Sequence, residues 1–245
     1  MGGHTEEQLI VDGKRPDGRA FDETRPMTAE IGTLKRADGS AVFKFGSTWA
    51  IAGVFGPRKV FPRHQEQSDR AILRTDYRMA SFSTSERSRP GPSRRSQEIS
   101  MVMRNAILPA IFAEEFPRTA IDGVAEILQA DASTRCAGIN AMVLALADAG
   151  VPMYDLVSSC SAGIVNGYTL LDIAGKEDTA GELDLPIAYY HRKKELTLIQ
   201  MDGIAKPEKV KEILRVAIKG CEQVYEAQKK ALRSRYEVVT EEEAE

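Results

Sequence analysis

The chain has 245 residues, of which 42% are hydrophobic and 28% are charged, and its formal net charge is −3 at pH 7. This composition is typical of a soluble globular protein and excludes a largely disordered, collagen-like or low-complexity chain. The sequence has no uninterrupted apolar run of about 18 residues, so it predicts no transmembrane helix.

The N-terminal residues and the cysteines indicate the compartment. Residues 1–10 lack the basic and apolar stretches of a secretory signal peptide. The three cysteines include no CxxC pair, which fits neither a disulfide framework nor a zinc ribbon. We therefore expect a cytoplasmic protein with buried free thiols at Cys136, Cys160 and Cys221.

In chain order, a polar arm over residues 1–20 precedes the first strands. Apolar residues, alternating or in short runs, predict strands over 27–34, 40–46, 48–56 and 71–82. Residues 83–93 contain two prolines, a glycine and four serines, which predicts a loop. Apolar residues at helical spacing then predict a helix over 95–112, with Ser93 as its N-cap.

The second half of the chain alternates in the same way. A strand over 124–130 leads into a helix that ends near residue 149 and is apolar nearly all round, so it should be buried. Asn166-Gly167 predicts a β-hairpin turn. Further strands are predicted over 187–192 and 195–203, a final amphipathic helix over 207–234 and an acidic tail over 237–245. This order predicts an α+β fold of mixed sheets with packed helices, forming a single domain over residues 1–245.

Basic residues are concentrated in one segment. Between Arg58 and Arg95, ten Lys or Arg residues accompany four Asp or Glu residues, and nine of the ten are Arg. Arginine forms paired hydrogen bonds with phosphate oxygens more specifically than lysine does. The segment therefore indicates either a polyanion-binding surface or a solvated basic face.

The junction over residues 129–138 combines a strand end with a helix start. Free N–H groups at a helix start, the Ser133 and Thr134 hydroxyls and the Arg135 guanidinium could bind one anion together. Simple capping by Ser133 or Thr134 is the alternative. The sequence has neither GxxxxGKS nor GxGxxG here, which argues against a P-loop or a Rossmann nucleotide site.

Two further clusters of charged residues, one basic and one acidic, are candidate functional sites. Arg94 and Arg95 begin a predicted helix, where cations oppose the helix dipole, so they indicate a bound anion or a surface ion pair with Glu98. Asp178 and Asp184 lie six residues apart, a spacing that places both on one face of a strand. Such a pair could hold Mg²⁺ or divide acid and base roles, whereas a solvated acidic loop is the alternative.

Seven blocks of sequence occur in a fixed order along the chain. They are PRH at 62–64, DRAILR at 69–74, PSRRSQEIS at 92–100, FPRTAID at 116–122, EILQADASTR at 126–135, ALADAGVPM at 145–153 and EDTAGELD at 177–184. In these blocks the chain resembles the ribonuclease PH family, and within it the catalytic ring subunits of the archaeal exosome. The resemblance runs from about Asp12 to Tyr236. One departure is that the family often has glycine near Ala132 and Ser133.

The resemblance implies a ribonuclease PH-like fold, a subunit of a hexameric ring, and phosphorolysis of single-stranded RNA from its 3′ end with release of nucleoside diphosphates. It implies inorganic phosphate as co-substrate, Mg²⁺ as cofactor, and a paralogous non-catalytic ring subunit and RNA-binding cap subunits as partners. By motif, Asp178 and Asp184 would be the catalytic acids and the metal ligands. The phosphate-binding residues would be Arg95, Ser133, Thr134 and Arg135, and the RNA-binding residues would be Arg63, His64, Arg89 and Arg94.

Two alternatives remain open from the sequence. The first is a non-catalytic ring subunit that binds RNA without cleaving it, although that type usually lacks the carboxylate pair that this chain retains. The second is a homohexameric ribonuclease PH that trims the 3′ ends of tRNA.

Overall fold

The computed structural model describes residues 8–11 and 13–236, so the predicted acidic tail lies outside the described residues. The strands in chain order are β1 (Met27–Ile31), β2 (Gly39–Phe45), β3 (Thr48–Lys59), β4 (Ile72–Met79), β5 (Thr119–Gln129), β6 (Val157–Val165), β7 (Tyr168–Leu171), β8 (Leu183–Tyr190), β9 (Glu195–Ile199) and β10 (Asp202–Gly203). The helices are α1 (Arg94–Ile107), α2 (Thr134–Asp148), α3 (Lys176–Ala180) and α4 (Pro207–Tyr236).

The strands form two sheets. The first has the order β1-β2-β3-β5-β4 and is antiparallel except for the parallel β4–β5 pair. The second has the order β10-β8-β6-β7, with β9 also paired to β8, and its pairs are antiparallel. The predicted α+β class is confirmed, with one mixed sheet and one antiparallel sheet.

Helix α2 joins the two sheets. It packs on β2, β3 and β5 of the first sheet and on β6 and β8 of the second. Every residue from Cys136 to Leu146 is buried, as its apolar composition predicts. Helices α1 and α4 also contact strands of both sheets, so one continuous core lies between them. Cys136, Cys160 and Cys221 are buried free thiols within this core, as expected.

Several local predictions are confirmed, with shifted ends. The hairpin between β6 and β7 turns at Asn166 and Gly167, which both have positive φ angles, 48° and 77°. Helix α1 ends at Ile107 instead of residue 112, because Pro109 has no N–H to donate to the preceding turn. Strand β5 begins at Thr119, five residues earlier than predicted, because its first residues pair with both β3 and β4.

Residues 8–11 and 13–26 have contacts with the second sheet. Leu9 and Ile10 are buried against Val165 and Leu170, and the Asn166 side chain accepts hydrogen bonds from both of their backbone N–H groups. This part of the predicted polar arm is therefore packed. None of the helices in the described ranges is both long enough and apolar enough to cross a bilayer.

Candidate active site

A cavity of about 1120 Å³ is lined by the starts of α1 and α2, by α3, and by β8 and β10. Both sheets contribute to it, because α2 follows β5 of the first sheet while β8 and β10 belong to the second. The cavity brings together six of the predicted site residues: Arg95, Ser133, Thr134, Arg135, Asp178 and Asp184.

The loop that leads into α2 has an unusual backbone. Ala132 and Ser133 have φ angles of 57° and 52°, in the left-handed region that favours glycine. The resemblance implies that the family often has glycine near these two positions. The alanine and the serine thus adopt a backbone conformation that glycine adopts at lower cost.

The Ser133 side chain does not cap α2, although Ser133 is its N-cap residue. Its hydroxyl instead contacts the Ser161 hydroxyl at 2.7 Å and donates to the Ile173 carbonyl at 3.2 Å. The Thr134 hydroxyl accepts a hydrogen bond from the buried Tyr77 hydroxyl at 2.9 Å, which leaves its own hydrogen to donate. The capping alternative is therefore wrong for Ser133, and the first N–H groups of α2 point where an anion can accept from them.

The two cavity arginines differ in their environment. Arg95 is exposed, whereas Arg135 is partly buried and its Nε atom has no hydrogen-bond partner among the described residues. One Arg135 Nη atom lies 3.9 Å from a Glu98 carboxylate oxygen, and that oxygen accepts a hydrogen bond from Gln200 at 2.5 Å. Glu98 thus pairs with Arg135, and the predicted alternative of an ion pair with Arg94 or Arg95 is not observed among the described contacts.

The start of α1 is held by its cap. Ser93 accepts a hydrogen bond from the Ser96 backbone at 3.0 Å, and the Ser96 hydroxyl accepts one from the Ser93 backbone at 2.8 Å. The predicted N-cap is confirmed, and serine takes the place that glutamate usually has in a capping box. This reciprocal pair fixes the helix start from which Arg94 and Arg95 project.

The two predicted acids do not share a strand, and the expectation of a single strand face is wrong. Asp178 lies on the short helix α3, whereas Asp184 is the second residue of β8. Gly181, in an extended conformation, ends α3 before β8 begins, so the parity of a continuous strand does not apply. They nevertheless line the same cavity, because only two residues separate the end of α3 at Ala180 from the start of β8 at Leu183.

The carboxylates are unusually easy to protonate. Burial and the neighbouring Asp178 charge raise the pKa of Asp184 to about 7, against 3.8 for an exposed aspartate. Burial also raises the pKa of Asp178, and the positive charges of Arg95 and Arg25 oppose that rise. A carboxyl with a pKa near neutrality can exchange a proton in both directions at physiological pH.

The oxygen donors also fit a hard divalent cation. One Asp184 carboxylate oxygen is buried without a hydrogen-bond partner among the described residues. Mg²⁺ commonly binds through one or two carboxylates, with water and substrate phosphates completing its shell. The described ranges contain no ready-made cluster of three or more metal-ligating side chains.

Sequence reasoning missed several cavity residues. Asp202 lies directly opposite Asp184 in the pairing of β10 with β8. Gln200, between β9 and β10, donates a hydrogen bond to Glu98 of α1. Tyr77 reaches Thr134 from β4. These contacts join residues that are distant in sequence, so the local sequence pattern does not reveal them.

The predicted RNA-binding residues lie outside this cavity. Arg63 and His64 are exposed on a 3₁₀ turn, Arg89 is exposed in the loop after β4, and Arg94 is exposed at the start of α1. Their grouping into one RNA-binding path stays a prediction.

The sequence profile of the 3′ exoribonuclease family, domain 1, matches residues 23–152, and the profile of domain 2 matches residues 155–220. The chain belongs to the 3′ exoribonuclease family, which is the ribonuclease PH family. The predicted family membership is therefore confirmed.

Members of this family from archaea are similar over nearly the whole chain. The exosome complex component Rrp41 of Thermococcus onnurineus is 50% identical over 244 residues, which cover 99% of this chain and 98% of that protein. The Rrp41 of Methanopyrus kandleri is 52% identical over 231 residues, or 94% and 97% of the two chains. Among solved structures, rice Rrp46 has a TM-score of 0.81 at 21% identity, covering 89% of this chain and 100% of that one. This last likeness confirms the predicted fold.

Proposed function

We propose that this ribonuclease PH family member is a phosphate-dependent 3′-to-5′ exoribonuclease of a cytoplasmic, archaeal-type exosome. In this reaction inorganic phosphate attacks the last phosphodiester of single-stranded RNA and releases a nucleoside diphosphate. The observation that carries the proposal is that one cavity is lined by the start of α2, by two arginines and by two aspartates. The pKa of one of these aspartates, Asp184, is raised to about 7.

The anion half of the cavity suits the attacking phosphate. The N–H groups at the start of α2, the Thr134 hydroxyl and the Arg135 guanidinium can all donate to phosphate oxygens. Arg95 adds a second positive charge on the other side of the cavity. These charges offset the repulsion between the phosphate dianion and the RNA phosphodiester, which would otherwise oppose their approach.

The acidic half suits the leaving group. The bond between phosphorus and the 3′ oxygen of the shortened chain breaks as the new bond to phosphate forms, and that oxygen must take up a proton. Asp184 can supply it, because its raised pKa keeps a large fraction protonated near pH 7. Alternatively, Asp178 and Asp184 would hold Mg²⁺ as ionised carboxylates when it is bound, and the ion, in place of the Asp184 proton, would then neutralise negative charge at the reacting phosphate.

The surroundings suit an RNA strand in an assembly. The exposed residues Arg63, His64, Arg89 and Arg94 would contact the RNA backbone, which carries little sequence information. Relatives at about half identity are named exosome complex components, so we propose a hexameric ring with a paralogous subunit and RNA-binding caps. The same names favour this over a homohexameric tRNA-trimming enzyme.

The decisive test is an end-labelled single-stranded RNA incubated with the full chain, alone and with its paralogous ring subunit, at several phosphate concentrations. We expect nucleoside diphosphates whose rate of release depends on phosphate, and a stall where the substrate becomes a duplex. The variant Asp184→Asn should bind RNA normally and release no diphosphate. Monophosphate products, or RNA binding without any phosphate-dependent product in either preparation, would contradict the proposal and support hydrolysis or a non-catalytic subunit.

A further inference from the structure

Two buried arginines near the N-terminus, Arg15 and Arg25, form hydrogen bonds with residues that flank the cavity. Some of these residues lie beside the start of α2, and the others lie beside α3. Arg15 is 3% exposed and Arg25 is 5% exposed. A buried guanidinium is retained only where it is fully paired, so its hydrogen bonds define a fixed geometry. We infer that Arg25, assisted by Arg15, is a positioning residue that sets the distance between the phosphate-binding loop (residues 131–133) and the carboxylates; this inference rests on the proposed function.

Arg25 bridges two chain segments with one planar group. Its Nε and Nη2 atoms donate to the two carboxylate oxygens of Asp172 at 2.9 and 2.7 Å. Its other terminal nitrogen, Nη1, donates to the Asp131 carbonyl at 2.5 Å. Asp131 begins the phosphate-binding loop, whereas Asp172 begins the segment that leads to α3, so the guanidinium spans the gap between them.

On the Asp172 side, further hydrogen bonds connect this bridge to the segment that carries Asp178. The carbonyl of the next residue, Ile173, accepts the Ser133 hydroxyl at 3.2 Å. Arg15 then binds both carboxylate oxygens of Glu177, at 2.9 and 2.6 Å, and Glu177 directly precedes Asp178. Helix α3 has only five residues and cannot be stable by itself, so these bonds determine where Asp178 lies.

Thr48 holds the other side of the bridge. Its hydroxyl accepts a hydrogen bond from the Asp131 backbone N–H at 3.0 Å and lies 2.8 Å from the Asp131 and Ala132 carbonyls. Thr48 is fully buried at the start of β3. The phosphate-binding loop is thus anchored by one charged and one neutral side chain, neither of which lines the cavity.

This arrangement matters because the two halves of the site come from different sheets. A displacement of about 1 Å between reacting groups can reduce a rate on the order of 100-fold. Lysine in place of Arg25 would keep the charge beside Asp172, but an ammonium group is too compact to reach both partners. The substitution Arg25→Lys therefore removes the bridge between Asp131 and Asp172 while it keeps a buried positive charge at this position.

The experiment compares the full-length wild type with Arg25→Lys, assayed as whichever preparation, alone or ring-assembled, is active. The matched control is Arg235→Lys, an arginine that also contacts a carboxylate, of Asp148, and a carbonyl, of Ile31, on the far side of the core. We expect Arg25→Lys to raise the KM for phosphate about tenfold, with RNA affinity measured without phosphate within about twofold of wild type. The control should leave both values unchanged.

Two more variants extend the test. Thr48→Val keeps the shape and removes the hydroxyl, so it should raise the KM for phosphate in the same direction as Arg25→Lys. Arg15→Lys should instead lower kcat with little change in the KM for phosphate, because Arg15 supports α3 and not the phosphate-binding loop. Calorimetric titration with inorganic phosphate provides a readout that needs no turnover, and binding should be weaker in both Arg25→Lys and Thr48→Val.

The possible failures are distinguishable. If the wild type releases diphosphate but Arg25→Lys and Thr48→Val bind phosphate as the wild type does, the positioning role is refuted and the proposed function stands. If Arg25→Lys does not fold, as judged by thermal melting, Thr48→Val decides, and a normal KM in that variant refutes the role. If the wild type binds phosphate but forms no diphosphate, the proposed function fails, and the calorimetric comparison still tests the bridge.

Discussion

The raised pKa of Asp184 predicts that the active site costs the protein stability at neutral pH. A pKa of about 7, against 3.8 for an exposed aspartate, corresponds to about 4 kcal/mol of preference for the protonated carboxyl in the folded state. Burial is the main cause, and the nearby Asp178 charge adds to it. The change to test is Asp184→Asn, which keeps the shape and cannot ionise.

The direction with pH follows from proton binding. Between pH 4 and pH 7 the unfolded chain has released the Asp184 proton while the folded protein still holds it, so the free energy of unfolding falls as pH rises through this range. Above the folded pKa the contribution is constant. Asp184→Asn lacks this loss, so its stability advantage over wild type should grow by about 2–3 kcal/mol between pH 5 and pH 8.

The assay is urea unfolding of wild type and variant at pH 5, 6, 7 and 8, in EDTA and without phosphate. Asp22→Asn, an exposed aspartate outside the cavity, is the matched control. An advantage of Asp184→Asn that stays constant with pH, or one that the control reproduces, would refute the claim that burial of this carboxyl is unfavourable. The same variant should be inactive, so the stability gained and the activity lost share one cause.

Three further outcomes are expected. Arg135→Gln should raise the KM for phosphate about 10- to 100-fold, since a charge-assisted hydrogen bond contributes about 1.5–3 kcal/mol; a fall in kcat alone would contradict this. Ala132→Gly should leave the KM for phosphate unchanged, because the N–H groups stay in place, and should change the unfolding free energy by about 0 to +1 kcal/mol as left-handed strain is relieved. Arg63→Gln should weaken RNA binding equally for all sequences and reduce the salt slope by about 0.7, measured by filter binding; an unchanged slope places Arg63 away from the RNA.

Features set by local sequence could be predicted without the structure. The turn at Asn166-Gly167 needs two residues that accept positive φ angles, and the dipeptide supplies them. Helix α2 is apolar on every side, which already requires a buried position between layers. Ser93 is followed by residues at helical spacing, which identifies a helix start. Each of these depends on interactions within a few residues.

The placement of the acids could not be predicted in this way. The spacing of Asp178 and Asp184 suits a strand, but the helical turn of α3 is stabilised by Arg15, which binds Glu177 from 162 positions away in the sequence. The same holds for Asp202, which comes opposite Asp184 only through the two-residue strand β10. Charge pairs between remote segments leave no periodic signal in the sequence. The resemblance to a family predicts the two acids, whereas their local spacing predicted the wrong secondary structure for Asp178.

The site also has two halves of different rigidity, and this follows from their burial. The start of α2 belongs to a helix that packs on both sheets, so on the proposed function its N–H groups are oriented before phosphate binds and need no reorganisation. Asp178 lies on a five-residue helix that depends on side-chain bonds for its position. On the proposed function, a preorganised anion site discriminates phosphate from water, whereas Asp178, the partner of the proton donor Asp184, depends on Arg15 and Glu177 for its position. Hence we expect variants of the Arg15–Glu177 pair to affect turnover, and variants near the start of α2 to affect the choice of nucleophile.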